Sequence, residues 1–160
     1  MIAGLWIFVG IVAGIFVQVI ANAAVLKWQS NNAKKVLCCE LEMNLDEIQK
    51  LKNHIERLKQ KISANQVEQS DLWVNMVEFD YSALNPLVTS GHFHKMLGSD
   101  GVKKYLSGSR FFNNESAAHL TQMLLERHAQ QDSLRFMGWL EDRVSEEEEN
   151  FKAVKAMLNS

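Results

Sequence analysis

Residues 48–62, IQKLKNHIERLKQKI, repeat apolar side chains at alternating spacings of three and four. These residues, called the seam below, are Ile48, Leu51, Ile55, Leu58 and Ile62. Isoleucine at heptad position a with leucine at d is typical of parallel two-stranded coiled coils. Glu47 and Lys52 fall at g and the following e, where they would pair across such a dimer. The stretch predicts a helix whose seam must be covered by another apolar surface.

Two surfaces are available to cover the seam. One is the same seam on a second chain, and the other is the apolar side of residues 70–160. Asn65 and Gln69 are polar, so the repeat lasts only about three heptads, which is marginal for an isolated coil. Membrane tethering would raise the effective concentration. We therefore favour pairing between chains and keep packing within one chain as the alternative.

The residues before the seam carry a helix-start signal. Asn44 stands three residues before Glu47, which is the spacing of an N-cap and its capping-box glutamate. Met43 and Ile48 occupy the positions of a hydrophobic staple. The sequence therefore predicts that a stalk helix begins near residue 44.

The N-terminal segment is apolar without interruption. Residues 2–26 contain no charged side chain. As a helix they would extend about 37 Å, which exceeds the roughly 30 Å of a bilayer's hydrocarbon core. Trp6 and Trp28 are spaced to lie at the two interfaces. We predict a single transmembrane helix over residues 1–28.

Charges behind the apolar run predict its orientation. The first are Lys27, Lys34 and Lys35, all on the C-terminal side. By the positive-inside rule, the N-terminus lies outside and residues 27–160 lie in the cytoplasm. A cleaved signal peptide, with a small-residue site at 21–23, is the alternative, although no basic segment precedes the run.

One face of the predicted anchor carries small and polar residues. Gly10, Gly14, Gln18 and Asn22 recur every four residues, so they share a face of a helix. A GxxxG pair lets two backbones approach closely in lipid, and amides in hydrocarbon seek partners across such an interface. This stripe predicts association with a second copy or with another membrane protein.

Aromatic residues divide the rest of the chain. None occurs over residues 29–72, whereas ten fall between Trp73 and Phe151. Aromatic side chains dominate packed cores. We therefore predict a mostly α fold in three parts: an anchor at 1–28, a coiled-coil stalk at 29–69 and a small, mainly helical domain at 70–160.

Helical spacing of apolar residues predicts the elements of this last part. A helix is expected over 72–84, with a strand over 74–81 as the alternative. Further helices are expected at 92–97, 100–107, 116–130 and 133–144. Ser145 and Glu148 match a capping box, which predicts a separate last helix whose N-terminus the acids of 146–149 complement.

Little in the sequence points to catalysis. The balance of 17 basic and 19 acidic residues argues against a nucleic-acid partner. Catalytic and phosphate-loop motifs are absent. His92 and His94 form a pair, but no third ligand stands at a supporting spacing. We predict no catalytic activity, cofactor or metal, and keep an enzyme or metal sensor using these histidines as an alternative.

Two other motifs have competing interpretations. Residues 103–105 (KKY) and 110–112 (RFF) interleave basic and aromatic side chains, as anionic-lipid or nucleic-acid surfaces do; aromatic residues of a helical core are the alternative. Cys38 and Cys39 lie close behind the predicted membrane segment. Adjacent cysteines there suit S-acylation or a redox response, and reduced thiols within a helix are the alternative.

These features predict a single-pass, membrane-anchored interaction or accessory protein. Its expected partners are the bilayer and either a second copy or another membrane protein. A second topology remains open, in which the chain is an envelope-spanning coiled-coil protein with residues 27–160 outside.

Overall fold

The structure is a computed structural model that describes the backbone of residues 2–159 and the side chains of residues 17–159. This part is mostly helical and contains no strand, which confirms the predicted mostly α fold class. The helices are α1 (Ile2–Ser63), α2 (Leu84–Thr89), α3 (His92–Phe111), α4 (Asn114–Ala129) and α5 (Ser133–Asn159). A short 3-10 helix occupies Gln69–Asp71.

The chain divides into two compact units, Met1–Val36 and Leu37–Ser160. The first unit is helical over its described backbone. The second contains the remainder of α1 together with α2 to α5. The predicted stalk, 29–69, is therefore shared between the two units.

The seam of α1 is buried inside the second unit. Its five residues expose at most 9% of their surface within a single chain. Burial continues at Leu37, Leu41 and Asn44, again three or four residues apart. The structure thus follows the intramolecular alternative for the seam, and pairing between chains is not confirmed.

α5 runs beside α1 and carries a buried face of the same spacing. Most of its buried residues recur every three or four positions: Met137, Leu140, Val144, Glu147, Phe151, Val154 and Leu158. Both helices therefore present heptad-spaced apolar faces within one chain. Seven-residue periodicity specifies such a face but not which helix covers it.

Ion pairs along the edges fix how α1 and α5 run. The three pairs are Glu42–Lys155 at 2.9 Å, Lys52–Glu148 at 2.8 Å and Lys59–Glu141 at 2.7 Å. Residue numbers rise along α1 as they fall along α5, so the two helices are antiparallel. Glu47 and Lys52, which were predicted to pair across a dimer, have other partners within the single chain: Lys52 binds Glu148 and Glu47 binds Lys50.

Two predicted helix starts are wrong. Asn44 lies within the continuous α1, and Ser145 lies within the continuous α5. The polar residues that suggested caps have other partners, since Asn44 binds the backbone of Asp80 and Glu148 pairs with Lys52 and Lys152. A capping signal in the sequence cannot be told from a polar residue held by tertiary contacts.

The predicted helix over 72–84 and the alternative strand over 74–81 are both wrong, because residues 72–76 have no regular secondary structure and are followed by a turn at 77–78. Leu72, Val74 and Met76 are buried, while the side chains between them are exposed. This period of two is that of an extended chain lying on an apolar surface. The Val74 N–H donates to Thr121 Oγ1 of α4 at 2.9 Å, which fixes the segment in place.

The predicted helices at 92–97 and 100–107 are the two halves of α3. They meet at Gly98, whose φ of 61° and ψ of −177° break the helical path. Only glycine adopts this backbone conformation without strain.

The prediction of 116–130 agrees with α4 within two residues at its start and one at its end. Asn113 caps α4 by accepting the Ser116 N–H at 2.8 Å. At the other end Gln131 has a φ of 59°, and the Asp132 N–H donates to the Arg127 carbonyl at 2.9 Å. A residue in the left-handed backbone conformation, followed by an N–H that donates to the carbonyl five residues earlier, ends many helices.

The predicted anchor falls mostly on side chains that the structure leaves undescribed. Among the described residues, no helix holds an apolar stretch long enough to cross a membrane. Residues 2–16 of the predicted span, with Gly10 and Gly14, lie outside the described side chains. Gln18 and Asn22 are described, and both are exposed.

Candidate functional site

Two buried polar side chains of α1 hold the segment that leads into α2. Asn44 Nδ2 donates to the Asp80 carbonyl at 2.7 Å, and Asn44 Oδ1 accepts the Asp80 N–H at 2.9 Å. One turn earlier, Glu40 Oε2 accepts the Ala83 N–H at 2.7 Å. Because i and i+4 share a helix face, α1 fixes both ends of residues 80–83.

The second carboxylate oxygen of Glu40 accepts a hydrogen bond from the Tyr105 hydroxyl of α3. Burial raises the pKa of Glu40, and the bonds from Tyr105 and Ala83 oppose that rise. Burial also raises the pKa of the Tyr105 phenol, and its bond to Glu40 adds to the effect. Tyr105 therefore keeps its proton and acts as the donor of the pair.

Tyr81 lies against this pair without joining it. Its ring meets Tyr105 edge-on, with 6.2 Å between the ring centroids. Its hydroxyl is buried and has no hydrogen-bond partner among the residues that the structure describes. Burial raises the pKa of this phenol, as do the carboxylates of Glu40 and Glu147. An unpaired buried hydroxyl costs free energy.

The two tyrosines allow a matched prediction. We expect Tyr105→Phe to destabilise the protein by about 1–3 kcal/mol, since it removes a donor from a buried carboxylate. We expect Tyr81→Phe to be neutral, or to stabilise by about 1 kcal/mol, since it removes an unpaired hydroxyl. Chemical unfolding of the two variants checks this, and equal losses would contradict the assigned bonding.

Glu147 brings a second buried carboxylate to the interior from α5. It is fully buried, with Ser107 Oγ at 2.8 Å, Asn150 Nδ2 at 2.9 Å and Arg143 Nη2 at 2.5 Å. A charge taken out of water needs such partners. The predicted role of the 146–149 acids, complementing a helix N-terminus, is wrong, because α5 continues through these residues and Glu147 is held in the interior.

Five polar side chains described above lie in the interior and are called the polar cluster below: Glu40, Asn44, Tyr81, Tyr105 and Glu147. Four of them expose no more than 4% of their surface, so a substrate in solution does not reach them. Their hydrogen bonds join α1, α3, α5 and residues 80–83. The cluster therefore sets the relative positions of elements inside the second unit.

The interleaved basic and aromatic motifs separate in three dimensions. Tyr105 and Phe112 are buried in the core, and Lys104 pairs with Asp100 at 2.8 Å. Lys103 and Arg110 are exposed and line a groove with Arg143. The basic groove, as it is called below, consists of Lys103, Leu106, Ser107, Arg110, Phe111, Ser116 and Arg143.

The histidine pair lies on α3 and the cysteine pair on α1. His92 and His94 lie at the start of α3, half-buried and exposed respectively. In the part of the chain that the structure describes, no group of three or more His, Cys, Asp or Glu side chains could hold a metal ion. Cys38 is half-buried and Cys39 exposed, with no disulfide between them.

Sequence reasoning identified the seam but missed Glu40 and Tyr105. Asn44 gave a signal, since a polar residue interrupts the apolar repeat at a seam position. Glu40 lies off the seam and resembles an ordinary solvated acid of a helix. Its partners stand 43 and 65 residues away in the chain, so no local pattern reveals them.

Comparison with known proteins adds no assignment. No protein-family model, no curated protein and no solved structure matches this chain.

Proposed function

We propose that this protein is a single-pass, membrane-anchored interaction or accessory protein without catalytic activity. Residues 1–28 would form the anchor, and the unit from Leu37 onward would present its surface to a partner in the cytoplasm. The observation that carries the proposal is the charge-free run 2–26, followed along the chain by a compact unit with a core of its own.

The described end of this run supports the proposal. The large apolar side chains of residues 17–28 each expose between 52% and 67% of their surface: Val17, Val19, Ile20, Val25, Leu26 and Trp28. A concentration of exposed apolar side chains is unfavourable in water and marks contact with a membrane or a protein. Lipid can cover every side of a single helix, and the uncharged run is long enough to cross the hydrocarbon core of a bilayer.

Exposed tryptophans on the second unit favour an interaction role. Trp73 lines an open groove with His54 and Met76, and Trp139 lines another with Phe136 and Arg135. Trp73 and Trp139 expose 44% and 49% of their surface. Tryptophan and arginine are enriched among residues that dominate protein–protein binding energy.

Charge insertion tests the anchor. We expect the double variant Val17→Lys, Val19→Lys to lose resistance to alkaline carbonate extraction, because each lysine within the span costs about 2.5–3.5 kcal/mol. The matched control is Val77→Lys, Val88→Lys, which adds the same charge to exposed positions of the second unit. Carbonate extraction of unmodified protein from membranes would contradict the proposal.

We also propose that the stripe of Gly10, Gly14, Gln18 and Asn22 mediates association within the membrane. Gly14→Ile would hold the backbones apart, so we expect a weaker signal in a membrane two-hybrid assay. Val12→Ile adds bulk away from the stripe and serves as the control. An equal loss in both variants would contradict association through this face.

A further inference from the structure

The basic groove has the form of a site for an anion. It has a volume of about 550 Å³ and lies where α3, the start of α4 and α5 meet. Lys103 and Arg110 stand seven residues apart on α3, so both project from one face of that helix. Phe111 and Leu106 add an apolar part to the lining.

The two α3 cations have no acidic partner. Lys104, their neighbour, is neutralised by Asp100 at 2.8 Å. Neither Lys103 nor Arg110 forms an ion pair with any residue whose side chain the structure describes. Their positive charges are therefore available to a ligand.

Arg143 supplies a third cation that is held in place. Its guanidinium contacts Glu146 and Glu147, each at 2.5 Å, and lies 5.5 Å from the centroid of the Phe111 ring. A guanidinium carries five N–H donors, and these two bonds leave others for a ligand. Three cations against two carboxylates give the groove a net positive charge.

The groove hydroxyls already donate elsewhere. Ser107 Oγ donates to Glu147 at 2.8 Å, and Ser116 Oγ donates to the Arg110 carbonyl at 3.1 Å. The donors left for an incoming anion are therefore the cationic side chains. Several converging cations suit an anion with oxygens in different directions, and arginine is well shaped for phosphate.

We propose that the basic groove binds a phosphate group, with Lys103 and Arg110 as its principal ligands and Arg143 as the third. The groove is larger than inorganic phosphate requires, so the phosphate belongs to a larger molecule whose apolar part lies against Leu106 and Phe111. A lipid headgroup and a soluble phosphate ester share this chemistry.

Two probes distinguish these sources with the full chain in a neutral detergent. Dihexanoyl phosphatidic acid carries the phosphate on acyl chains, and glycerol 3-phosphate carries it without them. We expect saturable binding by calorimetry, weakened at high salt because the cations are exposed. Binding of the lipid alone identifies a lipid ligand, and binding of both identifies the phosphate as sufficient; either result supports the site.

Charge reversal locates the binding. Lys103→Glu and Arg110→Glu should each weaken it about tenfold or more, since each removes a charge-assisted hydrogen bond. Lys95→Glu makes the same change at an exposed position of α3 outside the groove and should leave binding unchanged. Melting temperatures show whether each variant folds, and Arg110→Gln is a milder substitute for one that does not. Failure of both probes to bind, or an equal loss in Lys95→Glu, would overturn the proposal.

Discussion

Ile55→Asp is expected to unfold most of the second unit at moderate temperature. Ile55 is 1% exposed at the centre of the seam. The substitution removes a large apolar side chain from the core and places an unpaired carboxylate there. Each effect belongs to the costliest class of single substitutions, so we expect a loss of about 4 kcal/mol or more. Near-ultraviolet circular dichroism during thermal unfolding of the full chain measures it.

The same variant distinguishes packing of the seam within one chain from pairing of the seam with a second chain. If the seam instead paired with a second chain, Ile55→Asp would abolish crosslinking between chains and leave the unit folded. Val77→Asp is the matched control, because it introduces the same carboxylate at a position that is 64% exposed. An unchanged melting temperature for Ile55→Asp would show that residues 37–160 do not cover the seam.

Gly108→Ala and Gly138→Ala are expected to change stability in opposite directions. A Cβ atom at Gly108 would lie 2.1 Å from Cε1 of Phe151, whose ring is fully buried. The ring would have to move within a close-packed core, so we expect a net loss of about 2 kcal/mol. A Cβ atom at Gly138 would meet nothing within 4 Å. Alanine there should stabilise α5 by up to about 1 kcal/mol, since it is the better helix former.

Denaturant unfolding of both glycine variants measures this difference. The pair tests the close approach of α3 to α5, because both substitutions add one methyl group within a helix. Equal stabilisation by both variants would contradict the close packing of α3 on α5. It would mean that alanine at Gly108 improves the helix without meeting the ring of Phe151.

The sequence predicted which residues face a core better than it predicted what covers them. Spacing alone identified the seam, because a helix places residues three and four apart on one face. It did not identify α5 as the partner, since an identical repeat is compatible with a second chain. The buried face of α5 begins at Met137, about 75 residues beyond the end of the seam, so a search for local periodicity does not connect the two helices.

Capping motifs of polar residues predicted the helix boundaries least dependably. Asn44 and Ser145 matched helix caps, yet both lie inside continuous helices. The apolar face of each helix continues through the signal, and the burial of this face outweighs a single cap, which contributes about 1 kcal/mol. The break between the helices predicted at 92–97 and 100–107 was located more successfully, since α3 leaves the helical path at Gly98.

Labelling of Cys38 and Cys39 from each side of the membrane tests the proposed anchoring most directly. Both thiols follow the uncharged run and Lys34 and Lys35, and Cys39 is exposed. In cells that express the full chain, we expect a membrane-impermeant maleimide to label the membrane fraction only after permeabilisation. Labelling in intact cells would contradict the cytoplasmic orientation, and recovery of the labelled chain in the soluble fraction would contradict the anchor itself.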